Sequence, residues 1–155
     1  MVNKEKLNFL KTDFITHLKK LSGTEKPQWG VMNPQQMVEH MGMAFLNASG
    51  KLNFPLTTPA EQVPTYKKFL MTEKDFKPNT PNALMSETPL PLRFPDMQTA
   101  IEKLEKAITG FENYFADNEN KNLLNPFFGE LNFEEWVQLL HKHALHHLRQ
   151  FGIQV

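Results

Sequence analysis

Eight of the eleven prolines in this chain fall between Leu52 and Pro95. A residue that precedes proline is pushed out of the helical region, and proline cannot donate to a central strand ladder. That segment can therefore hold at most a short helix, near the stretch TYKKFLM, and it splits the chain in two. Loops this long without their own structure are as a rule functional or disordered. This one carries Phe54, Leu56, Tyr66, Phe69, Leu70, Phe76, Leu84, Leu90, Leu92 and Phe94. So much apolar surface predicts packing on the rest of the molecule.

The flanking sequence is periodic instead. From about Lys4 to Leu21, the residues Leu7, Leu10, Phe14, Leu18 and Leu21 recur at steps of three and four, which predicts a helix. A second helix starts at Asn33, a good N-cap, with Pro34 in the first helical position and Gln36 placed as a capping-box partner. Met37, Met41, Ala44, Phe45 and Ala48 form its apolar face, and Gly50 ends it. A third carries Met97, Ala100, Ile101, Leu104, Ala107, Ile108, Phe111 and Phe115 as one stripe. The fourth starts at Asn132, paired with Glu135 in another capping box, and runs to about Gln150 with Gly152 as its stop. No strand pattern is convincing. The pattern predicts an all-α fold, a four-helix bundle with a long proline-rich connection between helices two and three. Such a crossover permits up-down-down-up order, although periodicity alone also allows simple up-and-down order.

At 155 residues the chain is long enough for one domain, 1–155, with its own core. Its formal net charge of zero gives no footprint for a nucleic-acid partner or an anionic membrane. No segment approaches the roughly 20 apolar residues of a membrane span. The first residues, MVNKEKLNFLKTDF, lack the continuous apolar core of a signal peptide. A cytoplasmic protein is expected. With no cysteine in the chain, disulfides, thiolate metal ligands and a cysteine nucleophile are excluded. Any thiol in its chemistry comes with a substrate.

Four of the six histidines stand in HKHALHHLRQ, His141 to Gln150. On a helical wheel at about 100° per residue, His147 falls inside the apolar arc and His143 at its edge, beside Trp136. His141 lies near the opposite edge and His146 points well away. Side chains four residues apart stack one turn apart, so His143 and His147 can reach one ion. A third ligand must come from elsewhere, and both His40 and His17 qualify. His141 and His146 read as surface residues or as residues behind the ligands. The glutamate base of a zinc-protease H-E-x-x-H motif is absent, since Ala144, Leu145 and His146 separate the pair.

Three stretches together resemble the DinB/YfiT-like superfamily of metalloenzymes, in its small bacterial branch: WGVMNPQQMVEHM (Trp29 to Met41), NPFFGELNFEEW (Asn125 to Trp136) and HKHALHHLRQFG (His141 to Gly152). The resemblance implies an up-down-down-up four-helix bundle and a divalent metal held by three histidines, one from helix two and an HxxxH pair from helix four. Carried over residue by residue, these are His40, His143 and His147. One departure stands out: similar sequences often carry histidine before the Pro-x-x-Gly turn, where this chain has Asn125. Some members transfer low-molecular-weight thiols, and some are described as hydrolases.

Three neutral imidazoles leave an open coordination position, the pattern of a catalytic site. Zinc is the first expectation, and imidazole also suits nickel, iron or manganese. The metal could activate a water for hydrolysis or bind an incoming thiol. Glu39 adjoins His40 but points about 100° away, and Glu134 and Glu135 lie at least two turns from His143, so no carboxylate stands out as a base. Gln36, one turn before His40, and Gln150, one turn after His147, are placed to orient imidazoles. Capping for Gln36 and a solvated end for Gln150 are the competing roles. Trp29 and Trp136 are expected to pack. The proline-rich segment is a candidate pocket wall, with Lys67, Lys68 or Arg93 facing an anionic substrate. The readings that follow are a metal-dependent thiol transferase or hydrolase acting on a small molecule, a non-catalytic metal protein, or a helical interaction module. A homodimer is compatible with any of them.

Overall fold

The computed structural model describes residues 3–78 and 89–155. Leu84, one of the apolar residues of the proline-rich segment, lies outside them. The described chain is mostly helical, with a small two-stranded sheet.

The predicted first helix is broken. It forms α1 (Lys4–Lys11) and α2 (Asp13–Lys19), joined at Thr12 with φ −122° and ψ −74°. The Thr12 hydroxyl donates to the Asn8 carbonyl at 2.8 Å, and its N–H is shared between the carbonyls of Asn8 and Phe9. Such back-bonding by threonine bends a helix. The apolar register survives the break, because Leu10, Phe14 and Leu18 are all fully buried.

The other predicted boundaries hold closely. α3 spans Pro34–Ala48 behind a complete Asn33–Gln36 capping box. After it the proline-rich segment forms a single turn of 3-10 helix at Ala60–Gln62 and then α4, Val63–Leu70. α5 spans Met97–Asp117, with the Asp96 side chain accepting from Thr99 N at 2.7 Å. α6 spans Phe133–Gln150 behind the Asn132–Glu135 box. Two such boxes satisfy backbone donors that a helix start leaves orphaned.

The sheet was not expected. β1 (Leu123–Asn125) pairs antiparallel with β2 (Gly129–Leu131), in the register Leu123 with Leu131 and Asn125 with Gly129. Strands of three residues are too short to show an alternating pattern. Their turn is tied by Asn125, whose Oδ1 accepts from the N–H groups of Phe127 and Phe128 at 2.9 and 3.0 Å. Here Asn125 is a buried turn residue.

α3 packs along α5, α1 against α6, α2 against α5, and α3 meets α6. Phe45, Phe111, Phe115, Leu104, Trp136 and Leu140 lie in the core these contacts enclose. Each buried side chain of this size contributes about 1.5–3 kcal/mol from removal of apolar surface from water. Part of the proline-rich segment joins this core: Leu70 is fully buried, and Phe76 and Phe94 pack against it. Leu56, Tyr66, Leu90 and Leu92 stay exposed, so the expected packing covers only some of that apolar content. Among the described residues no helix is long and apolar enough to cross a membrane.

Candidate metal centre

The contact between α3 and α6 brings three histidines together. His40 stands midway along α3, and His143 and His147 lie one turn apart in the last half of α6. Their rings converge. His40 Nε2 is 3.0 Å from His143 Nε2, which is 2.9 Å from His147 Nε2. One nitrogen from each of the three lies within 4.8 Å of the other two. His17, the other candidate third ligand, lies on α2 outside this group.

The atoms behind His147 fix its tautomer. Gln150 Nε2 donates to the Trp29 carbonyl at 2.9 Å, which turns its Oε1 toward His147 Nδ1 at 2.7 Å. A carbonyl oxygen only accepts, so Nδ1 must carry the proton and Nε2 is left with a lone pair aimed at the cluster. His143 Nε2 can then satisfy at most one of its two neighbours. Whichever tautomers His143 and His40 adopt, one of the two close contacts is left without a hydrogen bond of its own. A cation that accepts all three lone pairs removes the conflict. Tetrahedral zinc–imidazole bonds of 2.0–2.1 Å would place ligand nitrogens about 3.3 Å apart. The observed spacing needs only a small opening, so the residues fit a divalent ion.

Burial keeps these imidazoles neutral, as ligands must be. It pushes His40 down to about 4. His143 and His147 are held well below the ordinary imidazole value, by burial first and then by the neighbouring imidazoles. His147 is buried, whereas His40 and His143 keep some exposed surface. The exposed part of His40 lies where a ligand could arrive: a pocket of about 30 Å³ is lined by His40, Met32, Met43, Leu90 and Arg93 among others.

The remaining sequence candidates divide. Gln150 orients His147. Gln36 uses its side chain in the cap, accepting from Asn33 N at 2.9 Å, and donates to the Leu90 carbonyl at 3.3 Å. No hydrogen bond joins it to His40. His146 does not point into solvent. Its ring packs against Trp29 at 5.3 Å, His147 at 5.2 Å and Phe76 at 6.2 Å, and its buried Nδ1 finds no hydrogen-bond partner among the described residues. His141 sets its ring edge-on to Phe9 at 5.2 Å, and burial pushes it down to about 4. Trp136 packs in the core, as expected.

The pocket wall comes from the proline-rich segment. Pro89, Leu90, Pro91 and Arg93 line it. Glu39 pins that wall. Its Oε1 accepts from Arg93 N at 2.7 Å, its Oε2 from Phe94 N and the Gln35 amide, and Arg93 Nε lies 3.6 Å away. Both carboxylate oxygens are thereby engaged. Lys67 is drawn elsewhere, to the Glu130 carbonyl and Glu135. The Trp29 carbonyl and Glu39 anchor escaped the sequence reading. The first is a backbone atom with no residue signature, and the second needs a partner 54 residues away.

The sequence model of a protein family described as the DinB superfamily matches residues 12–151. No curated protein and no solved structure matches the chain.

Proposed function

The chain belongs to the DinB superfamily, and on that premise we propose that His40, His143 and His147 hold a divalent metal ion that serves the transfer of a low-molecular-weight thiol to a small electrophilic substrate. The observation that carries this reading is the convergence of three Nε2 atoms whose lone pairs cannot satisfy one another. Zinc is the first choice for three neutral imidazoles, with nickel, iron or manganese as alternatives. The ion would supply Lewis acidity that lowers the pKa of a thiol in its open position. The chain's own residues do the rest. Gln150 holds the lone pair of His147 toward the centre. Arg93, across the same pocket from His40 and paired with Glu39, offers a half-exposed cation to an anionic substrate group. The net reaction forms a sulfur–carbon bond and breaks the bond from that carbon to its leaving group, which departs with the thiol proton.

Hydrolysis is less well supported. Glu39 has both oxygens engaged, and among the described residues no carboxylate joins the three imidazoles. The bundle reading also belongs here. Gln35 meets Phe94 just before α5 and Phe45 meets Phe111 late in it, while Lys6 and Phe9 of α1 meet Gln138 and His141 of α6 in the same order. These pairings support parallel α3 with α5 and α1 with α6, and hence up-down-down-up order.

The test is metal analysis of untagged protein, followed by incubation of the loaded protein with electrophiles and assorted small thiols. We expect one ion per chain, lost in His143→Ala and His147→Ala, and metal-dependent thioether formation. Metal-free protein unaffected by either substitution would refute the site. A loaded protein that turns over no pair in a broad panel would refute the reaction.

A further inference from the structure

Lys142 stands between His141 and His143, yet its side chain leaves the imidazoles. It is 4% exposed. Its ammonium donates to the carbonyls of Thr72 at 2.8 Å, Lys74, and Phe69 at 3.4 Å. Three donors meet three acceptors, so the buried charge is satisfied. Phe69 lies in the last turn of α4, where helix carbonyls carry partial negative charge, and its carbonyl also accepts from Thr72 N and Oγ1. The same ammonium sits 4.6 Å over the Phe69 ring and 5.8 Å from the Phe76 ring. One turn earlier Gln138 repeats the grip. Its Nε2 donates to the carbonyls of Leu70 and Thr72, while its Oε1 accepts from Lys6.

What this grip places is Phe76. Its ring meets His143 edge-on at 6.5 Å and His146 at 6.2 Å, and it stacks on Phe128 at 6.2 Å. We infer that Lys142 is a positioning residue of the histidine cluster: by tying residues 69–74 to α6 it holds the Phe76 ring against His143 and His146 and shields that side of the cluster from water. The shield is a property of the metal-free chain, and its bearing on coordination rests on the function proposed above. Methionine at this position would keep the stem but remove the one donor that joins the carbonyls of residues 69, 72 and 74, leaving Thr72 to Gln138 and Phe69 to Thr72. Phe76 would then rely on the Gln138 grip and on its ring contacts with Phe69 and Phe128 to fix its distance from the imidazoles.

Diethyl pyrocarbonate modification of the metal-free protein, resolved by peptide mass spectrometry, tests the inference. Lys142→Met and Phe76→Ala should each speed modification of His143 and His146 while leaving His17 unchanged. The double variant should react no faster than Phe76→Ala alone, because both substitutions remove one interaction. Lys142→Arg, which keeps a charged donor, should return the rates toward those of the unsubstituted chain. Unchanged rates in Phe76→Ala, which leaves the ammonium and its carbonyls in place, would overturn the shield. Independent, multiplying effects in the double variant would overturn the role of Lys142 in it. A cobalt-loaded arm reads the consequence: Phe76→Ala should weaken the visible absorption as coordination number rises. If the unsubstituted chain takes up no cobalt, the proposed function fails, while the modification rates still decide the shield.

Discussion

Gln150 Oε1 lies 2.7 Å from His147 Nδ1, and the Trp29 carbonyl on the far side of the amide dictates which way it faces. One backbone oxygen, 121 residues from Gln150 in sequence, thus sets the tautomer of an imidazole. The loop that carries it is further fixed to the end of α6, since Gln28 N donates to the Gln150 carbonyl at 2.7 Å.

Removing that amide should loosen the metal without removing its ligands. Gln150→Leu is expected to lower metal affinity about 10–100-fold, the usual cost of losing a partner behind a ligand. Competition with a chromogenic chelator measures it. Stoichiometry should stay at one ion per chain, and an unchanged affinity would show that His147 holds its tautomer without help.

Gly30 adds a second handle on the same contact. Its φ is +75°, and a Cβ there would lie 3.1 Å from Gln150 Nε2. Gly30→Ala should destabilise the protein by about 1–2 kcal/mol from left-handed backbone alone, and should also weaken metal binding. Gly23→Ala separates the two effects, because Gly23 has φ +98° and nothing within 4 Å of its Cβ. Urea denaturation should show destabilisation in both, and chelator competition a defect only in Gly30→Ala.

His40 and His17 were equal candidates by sequence periodicity, and the structure separates them. His40→Ala should abolish stoichiometric metal uptake by untagged protein, as measured by elemental analysis. His17→Ala should leave uptake intact. The reverse result would move the third ligand to α2.

Stability should depend on pH with a definite sign. In the unfolded chain an imidazole titrates near 6.5. In the folded chain burial pushes His40 down to about 4 and holds His143 and His147 lower than the ordinary value. Between about 6.5 and 4 the unfolded state therefore binds more protons, and stability rises with pH. It should be full above about 6.5 and lost as pH falls toward 4, at up to about 1.4 kcal/mol per pH unit for each fully neutral imidazole. Denaturation of metal-free protein at a series of pH values checks this. A triple His→Ala variant at positions 40, 143 and 147 should flatten the slope, although His141, also pushed to about 4, keeps part of it.

Much of the helical frame was legible because it rests on local rules. Both capping boxes, the first-turn Pro34 and the apolar stripe of α5 act within a few residues, so short-range spacing reveals them. The break at Thr12 was less visible, since the same apolar register runs across it. The hairpin at Leu123–Leu131 escaped because its strands are three residues long and its turn is set by the Asn125 side chain. The unequal fates of Leu70, fully buried, and Leu90, exposed, could not be read from composition, because both are leucines in one proline-rich stretch.

Local spacing was enough for most of the helices and for the i, i+4 placement of His143 and His147, because helical geometry alone puts those rings one turn apart. Tertiary structure decided what lies around them. It brought His40 across from α3, turned Gln150 by way of Trp29, engaged Glu39 with the wall of the pocket, and folded His146 inward against Trp29 and Phe76. Each of those outcomes depends on atoms dozens of residues apart meeting at hydrogen-bond or van der Waals distance. Periodicity reports which face of a helix is buried, and it carries no information about what that face will meet.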